Sequence, residues 1–325
     1  MQYVTLPGTD LRVSNISLGT VPFGTSVSRE NAFALLDTYT ALGGTLVDTA
    51  HVYADWHGGE RHMSEKTIGQ WLKQTGRRNE IVLVTKGGHP DMATHLTPRL
   101  APDQIIADLD ESLACLGVEQ IDLYFLHRDD PARPVDEIME TLNAQAQLGK
   151  IRYYGGSNWQ PARIRAAQAY AAAHQLRPLA ASQPFWSLAV PNPGAFGSDH
   201  ALMDDAMRAF YVETGLAVMA FTAQARGFFT KAAASSVDAL KPERRQAFEN
   251  AETLARLGRA QTLAQQLNTS VTAIVLAYIY SQPFVSIPII GPNTLDQLHD
   301  SLAHSDLTLT PAMVHYLQTG EEGAN

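Results

Sequence analysis

Ile121-Asp122-Leu123-Tyr124-Phe125-Leu126-His127 is an apolar run that ends on an ionisable side chain, and two other runs in the first half of the chain end the same way. Leu46-Val47 leads into Asp48 and then Tyr53, while Ile81-Val82-Leu83-Val84-Thr85 leads into Lys86. Runs this short, rich in β-branched and aromatic residues, read as strands buried on both faces. As parallel strands of an α/β barrel they would bring Asp48, Tyr53, Lys86 and His127 to one rim. That is the C-terminal face, where such barrels carry their chemistry.

Outward from these runs, short apolar segments alternate with longer amphipathic ones, the pattern of repeated βα units. The expected strands are Ile16–Gly19, Leu46–Asp48, Ile81–Lys86, Ile121–His127, Tyr153–Ser157, Leu179–Gln183, Ala217–Phe221 and Ser286–Ile290, which makes eight. The periodicity predicts helices over Arg29–Leu42, Ser64–Gln74, Pro102–Leu116, Val135–Leu148, Pro161–His174 and Asp199–Thr214. Ala101-Pro102-Asp103 is a helix-opening signal, and Leu148-Gly149 a closing one. The expected fold is α/β, a (β/α)8 TIM barrel. With no glycine-rich linker or low-complexity stretch, residues 1–325 are expected to form a single domain.

Two additions to the eightfold repeat are expected. Pro7-Gly8-Thr9-Asp10, with strand-like residues from Val4 to Val13 around it, signals an N-terminal β-hairpin that would close the barrel floor. The widest gap between strands, from Phe221 to Ser286, leaves room for an insertion before the last strand: a long loop from Thr230 to Pro242, then extra helices. An insertion on the catalytic rim usually covers or shapes a ligand site.

Composition removes several function classes. The chain is 45% hydrophobic and 18% charged, ordinary for a soluble globule with a large core. A net charge of −9 argues against nucleic acid or an anionic membrane as partner, because both require clustered Lys and Arg. An anionic cofactor needs only a local patch. Cys115, the one cysteine, cannot form an internal disulfide; Met1–Pro7 lacks a signal-peptide plan, and the apolar stretch Val271–Tyr280 is too short to span a bilayer. A cytoplasmic location is expected. His51, His57, His62, His89 and His95 fit no zinc spacing, so solvent-exposed or substrate-loop roles are expected for them.

The residues add up to a recognisable signature. Val47-Asp48-Thr49-Ala50-His51-Val52-Tyr53, Ser64-Glu65-Lys66-Thr67-Ile68-Gly69, Val84-Thr85-Lys86, Asp122 to His127, Gly156-Ser157-Asn158 and Ile287-Pro288-Ile289-Ile290-Gly291 follow one another in order. On these motifs the chain resembles the aldo-keto reductase superfamily over nearly its whole length. Ala225-Arg226-Gly227-Phe228-Phe229-Thr230 is similar to the loop of the bacterial and channel-subunit branches of that family.

The resemblance implies carbonyl reduction by hydride transfer, and the chemistry of the four rim residues agrees with it. Hydride delivered to a carbonyl carbon builds negative charge on its oxygen, so the site must supply a proton or hydrogen bonds there. Tyr53 is the expected general acid, Lys86 the cation that would lower its pKa, Asp48 the carboxylate that orients Lys86, and His127 a donor to the substrate carbonyl.

There is no Gly-x-Gly-x-x-Gly fingerprint after a first strand, which argues against a Rossmann site. The resemblance implies instead a nicotinamide cofactor extended across the rim. Ser157, Asn158 and Gln183 would hold the carboxamide, and Phe221 would stack on the ring. Thr222 to Thr230, with Arg226 and Gly227, would follow the pyrophosphate; Gly291, Asn293, Thr294, Gln297 and Ser301 would line the adenosine end. Family habit implies NADP(H). Asn293 stands where many members have a cation for the 2′-phosphate, which leaves NAD(H) open.

Aromatic and polar loop residues, namely Phe23, His51, Trp56, Arg128, Trp159, Trp186 and Pro191-Asn192-Pro193-Gly194, are expected over the pocket. They suit small aldehydes, sugars or polyol-derived ketones equally. A reading from another class also stands: a nicotinamide-binding, redox-sensing subunit with little turnover. Oligomeric state is not legible in the sequence.

Overall fold

The computed structural model describes residues 1–90 and 97–321. Tyr3–Thr5 (β1) and Arg12–Ser14 (β2) pair antiparallel in a separate two-stranded sheet. The barrel strands are Ser17–Gly19 (β3), Leu46–Asp48 (β4), Val82–Gly87 (β5), Ile121–Leu126 (β6), Ile151–Ser157 (β7), Ala181–Gln183 (β8), Ala217–Ala220 (β9) and Ser286–Ile290 (β10). All are parallel, and β10 pairs with both β9 and β3, so the sheet closes. The eight expected strands are therefore present in a (β/α)8 barrel with an N-terminal hairpin.

Side-chain alternation along each strand separates two apolar populations. Val47, Leu83, Tyr124 and Leu126 face outward into the layer beneath the helices. Leu46, Val84, Leu123 and Phe125 face the barrel interior, where Leu6, Leu11 and Val13 of the hairpin pack against them. Leu6 is wholly buried, a contact that contributes about 1.5–3 kcal/mol. The hairpin thus plugs the floor as expected.

The outer helices are Arg29–Ala41 (α1), Met63–Thr75 (α2), Pro102–Leu116 (α3), Val135–Gln147 (α4), Pro161–His174 (α5) and Asp205–Thr214 (α6). The last starts later than the expected Asp199. Phe185 bonds the backbone of Ala201 and Met203 and holds that stretch extended, and the Asp204 carboxylate then caps α6 by accepting from the Met207 N–H at 2.7 Å.

The insertion holds Phe228–Ala234 (α7), Pro242–Phe248 (α8), Ala251–Gln266 (α9) and Val271–Tyr280 (α10). The expected loop from Thr230 to Pro242 is corrected to residues 235–241, because Phe228, Phe229 and Ala232 bury one face of a short helix. Leu295–Leu302 (α11) and Pro311–Thr319 (α12) follow β10. Among the described residues no helix is long and apolar enough to cross a membrane.

Candidate active site

The alternation that buries Leu46, Val84 and Phe125 inside the barrel also turns Asp48, Lys86 and His127 toward its axis at the C-terminal rim. Tyr53 arrives from the turn after β4. Lys86 Nζ donates to Asp48 Oδ1 at 2.6 Å, to the Thr49 carbonyl at 2.8 Å and to the Tyr53 hydroxyl at 2.9 Å. Its three protons therefore have three acceptors. The other Asp48 oxygen accepts from Gln183 Nε2 at 2.9 Å. The His127 ring stands edge-on to Tyr53, with centroids 5.7 Å apart.

Electrostatics assign each group a protonation state. Burial works against the Lys86 charge, but Asp48 and Tyr53 outweigh it and hold the amine as a cation. Burial raises the Tyr53 phenol above its usual value, although Lys86 pulls it down. Lys86 lowers the phenol as expected, but desolvation is the larger effect, so the net shift is upward and the phenol is protonated at neutral pH. Burial, with Arg128 and His89 nearby, depresses His127 well below the ordinary histidine range, so its imidazole is neutral. Its buried Nδ1 has no hydrogen-bond partner among the described residues.

From Tyr53 and Asp48 a cleft of about 480 Å³ runs along the rim. Phe221, Thr222, Arg226, Gly227, Gly291, Asn293, Gln297 and Ser301 line it. Thr294 does not; its hydroxyl caps α11 by accepting from the Gln297 N–H at 3.3 Å. Ser157, Asn158 and Gln183 lie buried at the ends of β7 and β8, outside that lining. Ser157 Oγ donates to the Gln183 carbonyl at 3.0 Å, and Asn158 Nδ2 donates to the His127 carbonyl at 3.1 Å.

Lys231 and Arg244 also line the cleft, and sequence reasoning missed both. The available signal was Arg244-Arg245 within the insertion, but only the fold carries α8 over the rim. Arg244 Nε donates to the Arg226 carbonyl at 2.7 Å. Burial and the neighbouring Arg244 and Lys241 depress the Lys231 amine, as expected where cations converge. Thr222, Ala225, Arg226 and Gly227 adopt positive φ of 59°, 48°, 54° and 77°. Non-glycine residues in this region are strained. The Ala225 and Gly227 N–H groups already donate to the Thr222 and Gln224 carbonyls at 2.8 and 2.7 Å, so it is the three cations that suit a phosphate-bearing ligand.

Several expected pocket residues are structural instead. Phe23 and Trp159 are wholly buried, and Trp186 packs on Tyr278 and Phe284. Trp56 is 46% exposed, with its ring 6.2 Å from that of Tyr53. Arg128 Nε donates to Asp199 at 2.8 Å. His51 and His62 are not solvent-exposed; they are buried and stacked, with centroids 3.9 Å apart. His57 is exposed, and His95 lies outside the described residues. A larger hollow of about 1040 Å³, on the outer flank between α2 and α3, contains none of the four rim residues.

Comparisons with known proteins agree with this geometry. The model of the Aldo/keto reductase family matches residues 15–321. An uncharacterized oxidoreductase, YrpG, of Bacillus subtilis (strain 168) is 30% identical, over 98% of this chain and 95% of its own length. An aryl-alcohol dehydrogenase of Pestalotiopsis microspora is 26% identical, over 97% and 80%. Norsolorinic acid reductase A of Aspergillus parasiticus is 28% identical, over 97% and 79%.

Proposed function

The chain belongs to the aldo/keto reductase family, an oxidoreductase family whose chemistry is NAD(P)H-dependent carbonyl reduction, and from that membership we propose that it reduces aldehydes or ketones with Tyr53 as proton donor. The observation that carries this reading is the chain from buried Asp48 and Lys86 to half-buried Tyr53, opening on a cleft walled by Arg226, Lys231 and Arg244.

A reduced nicotinamide, when bound in this cleft, would supply the hydride for the carbonyl carbon. The rest is the work of the chain. Tyr53, held protonated by burial, donates its proton to the oxygen on which charge develops. Lys86 stabilises the phenolate left behind, and Asp48, fixed by Gln183, keeps Lys86 aimed at Tyr53. Neutral His127 hydrogen-bonds the carbonyl oxygen and orients it against the tyrosine. Arg226, Lys231 and Arg244 bind the cofactor phosphates. Both nicotinamides carry the pyrophosphate these cations would hold; family habit favours NADP(H), while Asn293 leaves NAD(H) usable.

For the substrate we favour aromatic aldehydes and ketones, beside small aliphatic and sugar-derived carbonyls. The exposed Trp56 indole offers a flat apolar face near Tyr53, and two of the similar proteins are named for an aryl alcohol and for norsolorinic acid. The test is a panel of such carbonyls with NADPH and NADH, followed by loss of nicotinamide absorbance. Turnover that Tyr53→Phe removes is expected. A tightly held cofactor with no turnover across the panel would overturn the reading in favour of a redox-sensing subunit.

A further inference from the structure

Beside the catalytic rim, three ligand-type side chains from three elements converge: His51 from the turn after β4, His62 at the start of α2 and Glu111 on α3. Their nearest ligand atoms all lie within 4.8 Å of one another. We propose that His51, His62 and Glu111 form a binding site for a divalent cation of the zinc class.

The ring of His62 is prepared for this role. Its Nδ1 donates to the His51 carbonyl at 2.6 Å, which fixes the proton on Nδ1 and leaves Nε2 with a free lone pair. Metal-ligating histidines are typically oriented by such a bond from the other ring nitrogen. Nε2 lies 3.6 Å from Glu111 Oε2, close to the spacing of about 3.3 Å between two ligands on a tetrahedral zinc with bonds near 2.0–2.1 Å.

The backbone of His62 is also held in place. It adopts a left-handed φ of 62°, uncommon for a residue other than glycine, and its N–H is gripped by the Asp55 carboxylate at 2.6 Å.

The remaining contact needs an adjustment. His51 Nε2 and Glu111 Oε2 now share a proton at 2.8 Å, and an ion would take the place of that proton. Glu111 must withdraw by about half an ångström to reach zinc spacing. Its side chain is 57% exposed and free to do so, while the imidazoles, stacked 3.9 Å apart with their planes at 26°, must swing well out of parallel for both lone pairs to meet one ion.

Two imidazoles and one carboxylate match the ligand set of open zinc sites, in which a fourth position is left for water. The site opens on a cavity of about 420 Å³ shared by His51 and Glu111, which gives an entry path. The two arginines there, Arg61 and Arg99, are each paired with a carboxylate, Asp55 at 3.3 Å and Asp108 at 2.5 Å. Because His51 lies in the turn that carries Tyr53, occupancy would tie that turn to α3.

Cobalt(II) is the probe, since it takes zinc sites and reports four-coordinate nitrogen and oxygen ligation by visible absorption. Titration of the metal-stripped full chain should give absorption that saturates at one equivalent and is displaced by zinc. Glu111→Gln, on an exposed side chain that does not hold the fold, should weaken cobalt binding by more than about tenfold, as should His62→Gln. His57→Gln, at an exposed histidine outside the cluster, should leave it unchanged. The proposal fails if there is no saturable absorption, or if Glu111→Gln and His62→Gln bind cobalt as the wild type does.

Discussion

Lys86 Nζ lies 2.6 Å from Asp48 Oδ1, with side chains only 1% and 2% exposed. A pair so desolvated is stable only while both charges remain, since either one alone is a buried charge without compensation. Asp48→Asn or Lys86→Met alone should therefore lower the unfolding free energy by about 3–5 kcal/mol. The double variant should lose less than the sum of the two. Denaturant unfolding of all four proteins measures this coupling, and simple additivity would show that the pair is not an ion pair.

The Tyr53 hydroxyl meets the protein through its bond from Lys86, and its ring stands edge-on to Trp56 and His127. Tyr53→Phe keeps the ring and removes the proton. Turnover should fall by roughly 10²–10⁴, with cofactor affinity preserved. Carbonyl-reduction rates within a few-fold of wild type would show that another group donates the proton.

Lys86 acts on Tyr53 against a larger opposing effect, because burial raises the phenol and the lysine only moderates that rise. Removing the cation in Lys86→Met should therefore drive the phenol higher still. Alcohol oxidation needs the phenolate, so the ascending limb of its pH–rate profile should move to higher pH, and reduction at neutral pH should fall. A residually active variant whose limb stays in place would contradict this electrostatic coupling.

What the sequence disclosed and what it hid have physical causes. The eight strands and the four rim residues were legible because side-chain alternation and the ends of apolar runs are local patterns. The late start of α6 was not, since it depends on Phe185 bonding across to Ala201 and Met203. His51, His62 and Glu111 share no sequence spacing; three separate elements bring them together. Lys231 and Arg244 join Arg226 only because the insertion folds back over the rim. The raised pKa of Tyr53 was hidden too, because desolvation belongs to the folded molecule and the lysine beside it suggested the opposite sign.

Asn293 lies at the far end of the cleft, and its backbone N–H donates to Gln297 Oε1 at 2.8 Å. An arginine here could make charge-assisted bonds to a 2′-phosphate, a contact of about 1.5–3 kcal/mol. Asn293→Arg should move the ratio of NADPH to NADH affinity toward NADPH by at least about tenfold. The maximal rate at saturating cofactor should change little. Fluorescence titration of both cofactors against both proteins reads the ratio; an unchanged ratio would place the 2′ position elsewhere, with Lys231 and Arg244 as the next residues to vary.

Glu65 is wholly buried on α2, where its Oε1 accepts from the Thr85 hydroxyl at 2.5 Å. Burial pushes its carboxyl up from 4.5 to about 7. A carboxyl raised on folding is protonated in the native chain while the unfolded chain has already ionised. Native stability therefore falls as pH rises from about 4.5 to about 7, then levels off. Over that window the loss amounts to about 3 kcal/mol at 1.36 kcal/mol per pH unit. Glu65→Gln keeps an oxygen for Thr85 and cannot ionise. It should match the wild type in stability near pH 4.5 and exceed it by up to that amount at pH 8. Denaturant midpoints at the two pH values decide the matter: an equal difference at both would mean that Glu65 folds with the same charge it carries in the unfolded chain.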